Sequence, residues 1–147
     1  MAVGNVSPPA WELMRVTKEA LEVGIRACQA GNTVSDIGRA IEKYVRSQAA
    51  YGIVRDLCGH GVGHAVHEPP YVVNYDDLAG ESWKLSPGVV LALEPMITRG
   101  NYAVKTLADG WTVVTVDGSL SAHFEHTVVI TPNGPVVATR RPNEMSS

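Results

Sequence analysis

The chain has 147 residues, of which 45% are hydrophobic and 18% are charged, and its formal net charge is −3. This length and balance are typical of one folded domain and exclude a disordered or collagen-like chain. The longest basic run is Arg140-Arg141, and every apolar stretch is shorter than the roughly 18 residues that span a bilayer. We therefore expect no nucleic-acid site, no membrane span and a cytoplasmic location.

Two amphipathic helices are predicted in the first third of the chain. Ser7, followed by two prolines, is typical of a helix start, and apolar residues then recur at helical spacing to about Ala27. A second helix is expected to begin at Thr33 or Ser35 and to end near Gly52. Because helices are followed by β-rich runs instead of alternating with them, the predicted fold class is α+β.

Residues 58–70, CGHGVGHAVHEPP, combine three glycines with three histidines. No Lys-Ser or Lys-Thr pair follows the glycines, so a phosphate-binding loop is not indicated. A helical zinc motif is not indicated either, because prolines follow His67 directly and position 71 is Tyr71. What remains is a glycine-rich strand or loop that approaches a neighbour closely. His60 and His67 are then either ligands or ordinary hydrogen-bonded histidines.

The pattern changes to β-rich runs after Pro87. Asp109-Gly110 and Asp117-Gly118 separate several of these runs and are typical hairpin turns. The last part of the chain is therefore predicted to form an antiparallel β meander.

Two glutamates interrupt these apolar runs. Glu94 lies in VVLALEPMI, where a buried carboxylate requires a cation, either a metal ion or a salt bridge to Arg99 or Lys105. Glu125 lies in SLSAHFEHTVVI, which we expect to be a core strand with His123 and Glu125 on one face. One imidazole and two carboxylates without a thiolate set suit Mn, Fe, Co or Zn, with open positions for water.

Three motifs, CGHGVGHAVHEPP, PGVVLALEPMI and ADGWTVVTVDGSLSAHFEHTVVIT, together with their spacing, resemble the methionine aminopeptidases of bacterial type. The likeness runs from about Val3 to Thr139 and corresponds to the C-terminal portion of that family's pita-bread fold. It implies one partial peptidase domain over residues 1–147, and we expect frayed ends at 1–6 and 140–147. It also implies metal-dependent removal of the N-terminal methionine from nascent proteins and peptides by a metal-activated hydroxide.

Carried over by position, the resemblance implies three metal ligands: His60, Glu94 and Glu125. Glu125 would bridge two ions, and Glu94 would also handle a proton. His67 would be catalytic, contacting the substrate as charge develops on its carbonyl. Trp111 would form a wall of the methionine pocket, unless it is simply a core residue, and Val66 stands where many relatives place an aromatic residue.

The resemblance also indicates what this chain lacks. The relatives supply two further aspartate ligands and another histidine from an earlier region, and His123 here stands where a Gln is common. One divalent ion is thus an alternative to two, and activity in isolation would be low or absent. An incomplete surface favours self-association or pairing with a complementing N-terminal half.

Three functions stay open from the sequence. The first is a metal-dependent aminopeptidase acting on nascent polypeptide N-termini. The second is a catalytically incomplete module that binds a peptide or partner, or acts at the ribosome. The third is a non-functional fragment.

Overall fold

The computed structural model describes residues 2–77 and 83–144. Its two helices are α1 (Pro8–Ala27) and α2 (Val34–Gln48). Both predicted starts are confirmed, because prolines follow Ser7 and because Thr33 and Asp36 form a capping box. Within these described ranges, no helix is both long and apolar enough to cross a membrane.

The second helix ends earlier than predicted. Its C-cap residue Ala49 has an extended backbone with a φ of −172°. Gly52, the predicted end, instead begins a strand and pairs with Thr98. This pairing with a residue far along the chain is not visible in the local helical pattern.

Ten antiparallel strands follow the helices in the described part of the chain. They are β1 (Gly52–Ile53), β2 (Gly59–Gly61), β3 (Glu68–Val72), β4 (Val90–Leu93), β5 (Met96–Thr98), β6 (Val104–Thr106), β7 (Val113–Thr115), β8 (Ser121–His123), β9 (His126–Thr131) and β10 (Gly134–Val137). A five-stranded sheet has the order β10-β9-β4-β2-β3, a three-stranded sheet has the order β1-β5-β8, and β6 pairs with β7. The α+β class with antiparallel strands is confirmed.

The strand order is more complex than that of a simple meander. The Asp109-Gly110 hairpin forms as predicted, because β6 and β7 pair across it. Asp117-Gly118 also makes a turn, with the Gly118 N–H donating to the Thr115 carbonyl oxygen at 3.4 Å. The strands that flank this second turn lie in different sheets, since β8 pairs with β5. The predicted second hairpin is therefore a turn without a ladder.

The helices and the sheets share one hydrophobic core. Its largest fully buried members come from both helices and from the central strands: Leu13, Leu21, Ile37, Ile41, Leu91, Leu93, Ile97 and Ile130. A Cβ atom at Gly24 of α1 would lie 2.9 Å from Cδ1 of Ile41 in α2. Glycine at this position thus permits the close packing of the two helices.

The end of the described chain is tied to the first helix. Arg140 forms a bidentate ion pair with Glu22 of α1, and residues 142–144 form a short 3-10 helix. Of the ends predicted to be frayed, Met1 and residues 145–147 lie outside the described residues.

Candidate metal centre

The candidate site forms where two chain segments cross between sheets. Glu94-Pro95 joins β4 of the five-stranded sheet to β5 of the three-stranded sheet, and Phe124-Glu125 joins β8 back to β9. The strands are in register on both sides of the crossing: Leu93 pairs with His126, and Met96 pairs with His123. The Phe124 N–H donates to the Pro95 carbonyl oxygen at 3.5 Å. The two crossing segments therefore lie side by side, and each carries one glutamate.

Glu94 is at the centre of a cluster of carboxylates and imidazoles. Glu94, His123 and Glu125 each offer one ligand atom, and these atoms all lie within 4.8 Å of one another. Nε2 of His123 is 3.5 Å from Oε2 of Glu94, and Nε2 of His60 is 3.4 Å from Oε1 of Glu94. Each oxygen of this partly buried carboxylate thus faces a different histidine.

His60 is fixed in a form that suits a metal ligand. It is a buried residue of β2, which lies between β3 and β4. Its Nδ1 is 2.9 Å from the carbonyl oxygen of Gly61. Because a carbonyl oxygen can only accept, the Nδ1 N–H donates to it, and Nε2 faces Glu94. The exposed ring of His67 lies 4.2 Å from the His60 ring, centroid to centroid, so the two predicted histidines are neighbours.

Nearby residues leave the charge of Glu94 without a fixed cation. Among the described residues its ion pairs are with histidines, and the predicted salt-bridge partners Arg99 and Lys105 are exposed. Burial, reinforced by the negative charge of Glu94, raises the pKa of the Cys58 thiol. This thiol is protonated at neutral pH and is not a preformed thiolate ligand.

The donor set fits a divalent transition metal. It consists of carboxylate oxygens and imidazole nitrogens, which are ligands that suit Mn, Fe, Co and Zn. It is not the thiolate set of a structural zinc site. The carboxylate oxygens of Glu94 face Nε2 of His60 and Nε2 of His123, and a cation between these atoms would be bound by the carboxylate and the imidazoles together. This observation supports the predicted use of a metal by His60, Glu94 and Glu125.

One part of the sequence-based description of Glu125 is wrong. The apolar pattern predicts Glu125 inside a core strand, but Glu125 is exposed and lies outside β8 and β9. The apolar run is broken there because the chain passes from one sheet to another. The same crossing keeps Glu125 beside Glu94 and His123. The ligand set implied by the resemblance does not include His123, although the sequence already places this potential ligand on the same face as Glu125.

The two remaining predicted substrate contacts are exposed. Trp111 is 87% exposed, so the alternative that it is a core residue is wrong. It follows the Asp109-Gly110 turn, where the Asp109 carboxylate accepts hydrogen bonds from the N–H groups of Trp111 and Thr112 at 3.0 and 2.9 Å. Val66 is 73% exposed and lies in the bend between β2 and β3. Their predicted roles in binding substrate stay predictions.

The chain is similar to known methionine aminopeptidases. The methionine aminopeptidase of Clostridium perfringens is 50% identical over 137 residues, which are 93% of this chain and 54% of that protein. That of Escherichia coli is 39% identical over 142 residues, which are 97% of this chain and 53% of that protein. The chain thus spans about half the length of the curated relatives that it matches.

A solved structure and a family profile agree with this result. The crystal structure of methionine aminopeptidase from Thermotoga maritima matches with a TM-score of 0.88 at 42% identity, covering 95% of this chain and 55% of that one. This match confirms the predicted pita-bread fold and the resemblance to half of such an enzyme. The profile described as metallopeptidase family M24 matches residues 1–132. On this evidence the chain belongs to metallopeptidase family M24.

Proposed function

We propose that this chain carries out, or contributes half of the site for, metal-dependent removal of the N-terminal methionine from nascent proteins and peptides. The observation that carries the proposal is the position of Glu94, whose two carboxylate oxygens face His60 and His123 beside Glu125. The relatives named methionine aminopeptidase support the choice of reaction. The same proposal places the chain in the cytoplasm, near the ribosome.

In this proposal His60, Glu94 and Glu125 hold a divalent ion, Co, Mn, Fe or Zn. When bound, such an ion lowers the pKa of a water towards neutrality and polarises a carbonyl. His67 is exposed beside the buried His60 ring, so it can reach a peptide carbonyl and donate a hydrogen bond as negative charge develops there.

Other residues of the chain would move the proton and bind the substrate. Glu94 would accept a proton from the attacking water and pass it to the leaving amine. Trp111 and Val66 would contact the methionine side chain. Both are exposed in this chain, so a tight apolar pocket requires a further surface to cover them.

We also propose that this further surface comes from a polypeptide carrying the other half of the fold. Trp11, Met14 and Phe124 line a groove of about 760 Å³ next to one crossing segment. The relatives are about twice as long as this chain, so a complementing half is the natural occupant, and a second copy of the chain is the alternative. Light scattering at high micromolar concentration, with and without a co-expressed N-terminal half, tests this. A monomer in both samples would contradict association.

The experiment on activity is hydrolysis of a Met-Ala-Ser peptide by the purified chain with added Co(II) or Mn(II). We expect release of methionine, weak for the chain alone, that is abolished by a chelator and by Glu94→Gln and retained in Glu19→Gln, a matched change at a half-exposed glutamate of α1 outside that groove. The assay is repeated with the co-expressed half, since the resemblance implies two further aspartate ligands from an earlier region. Peptide binding without turnover in either sample would favour the alternative, a peptide-binding or partner-binding module.

A further inference from the structure

We propose that His123 is a metal ligand, and that Glu94, His123 and Glu125 form a cation site that this chain supplies entirely by itself. The resemblance to methionine aminopeptidases does not imply this role, because a glutamine is common at that position. The inference rests on the proposed function for the choice of a divalent transition metal. It does not depend on the substrate or on turnover.

The distances around Glu94 leave room for an ion between the ligand atoms. Two ligands bound tetrahedrally at about 2.0–2.1 Å lie about 3.3 Å apart. The distance between His123 Nε2 and Glu94 Oε2 is 3.5 Å, and the ligand atoms of Glu94, His123 and Glu125 all lie within 4.8 Å of one another. A direct charge-assisted hydrogen bond would bring nitrogen and oxygen to about 2.7–2.9 Å. The spacing is therefore too long for a close ion pair and suits coordination.

The backbone holds His123 in this position. It is the last residue of β8 and pairs with Met96, which begins β5 directly after Glu94-Pro95. Glu125 follows on the same chain, at the point where it crosses to β9. The three ligands thus come from two adjacent backbone segments joined by strand pairing, so little rearrangement is needed to close them on an ion.

Charge and exposure also favour a cation at this point. Glu94 and Glu125 bring two carboxylates together, and like charges disfavour each other unless a positive charge lies between them. His123 is 47% exposed on its side chain, whereas Glu94 is 16% exposed. The site is thus closed towards the protein interior and open towards solvent, which leaves room for water ligands. His60 faces Oε1 of Glu94, the oxygen that His123 does not face. It could therefore bind the same ion or a second ion beside it.

The test is Co(II) binding by the full chain, measured by calorimetry, by visible absorption and by X-ray absorption at the cobalt edge. We expect His123→Gln to weaken binding about tenfold or more and to remove one imidazole from the coordination shell. His123→Asp should recover affinity relative to His123→Gln, because a carboxylate can replace the lost ligand. His64→Gln, at an exposed histidine of the 62–67 bend, is the matched control and should bind like the parent.

The opposite results would overturn the inference. These are no binding by the parent chain, unchanged affinity and imidazole number in His123→Gln, or still weaker binding in His123→Asp, as expected if His123 only paired with the charge of Glu94. Circular dichroism before each titration confirms that the variants are folded. Binding that depends on His123, without peptide hydrolysis either by the chain alone or with the co-expressed half, would support this inference and contradict the proposed peptidase activity. Hydrolysis with metal binding independent of His123 would do the reverse.

Discussion

Substituting Gly38 with alanine should disturb both the fold and the metal centre. Gly38 lies in α2 against the backbone that follows β3. A Cβ atom there would overlap the carbonyl oxygen of Tyr75 and lie 2.7 Å from that of Val73. Ordinary contacts are about 3.5 Å or longer, and two carbonyl groups cannot rotate away as a side chain can. The helix and this loop must therefore separate by roughly 1 Å.

The cost follows from two opposing effects. Overpacking of this kind destabilises a protein by about 1–3 kcal/mol, and alanine in place of glycine within a helix returns about 1 kcal/mol. Because both contacts are with rigid backbone, the overpacking cost is expected at the upper end of that range, which leaves a net loss of about 2 kcal/mol in the free energy of unfolding. For a domain of this size, that loss lowers Tm by roughly 4–8 °C. Thermal unfolding followed by circular dichroism measures it.

The same substitution should also weaken a hydrogen bond that holds the main chain of Glu94. Asn74, between Val73 and Tyr75, is buried and donates from Nδ2 to the main-chain carbonyl oxygen of Glu94 at 3.3 Å. A displaced loop would weaken this bond and loosen the crossing segment. We expect Gly38→Ala to bind Co(II) less tightly than the parent at a temperature where both are folded.

Gly24→Ala is the matched control, because the added Cβ atom meets side chains there instead of backbone. A Cβ atom at Gly24 meets side-chain atoms, at 2.9 Å for Cδ1 of Ile41 and 3.2 Å for Cδ2 of Leu93. These methyl groups can shift, so the helix propensity of alanine should offset most of the cost. If Gly38→Ala melts at or above the parent temperature, or if both variants lose equal stability, the argument from rigid backbone contact is wrong.

Three further predictions concern charge, capping and metal. The bidentate contact with Arg140 lowers the pKa of Glu22 below its ordinary value of 4.5. The ionised carboxylate therefore stabilises the fold fully at pH values above 4.5, and this stabilisation is lost as the pH falls through the lowered pKa. Glu22→Gln should therefore cost about 0.5–1 kcal/mol at pH 7 and flatten the acid limb of a stability-against-pH curve measured in urea; an unchanged curve would contradict it. Thr33→Ala removes one half of the capping box with Asp36 and should cost about 1 kcal/mol, whereas no loss in urea titration would show that the cap contributes nothing. Saturating Mn(II) or Co(II) should raise Tm in the parent and not in Glu94→Gln, because an ion that binds only the folded state stabilises it by mass action; an equal rise in both would place the ion elsewhere.

Local signals predicted the features that depend on a few neighbouring residues. The helix starts at Ser7 and Thr33 follow from proline placement and capping, both completed within one turn. The hairpin at Asp109-Gly110 is equally local, since its flanking strands pair directly across the turn. In each case the stabilising partner lies within a few residues, so the sequence pattern contains the whole cause.

Features that depend on distant partners were predicted less well. The turn at Asp117-Gly118 has the same local signal, yet its second strand pairs with β5 across the molecule. Glu125 was assigned to a strand because its neighbours are apolar, but competition between two sheets breaks the strand there. The early end of α2 before Gly52 has the same origin, because pairing of Gly52 with Thr98 draws the chain into a strand.

The same competition between sheets explains why the ligands meet at all. Within a regular ladder, Glu94 would alternate with its neighbours and point either into the core or to solvent. The β4–β9 pairing ends at Leu93 and His126, and the β5–β8 pairing begins at Met96 and His123. The two crossing segments therefore leave regular strand pairing at the same place, and their glutamates lie side by side in the gap between the two sheets. His123 ends the ladder on one side of this gap, and His60 approaches it from β2. The candidate metal centre is therefore a consequence of strand switching, and its geometry depends on the pairing of β4 with β9 and of β5 with β8.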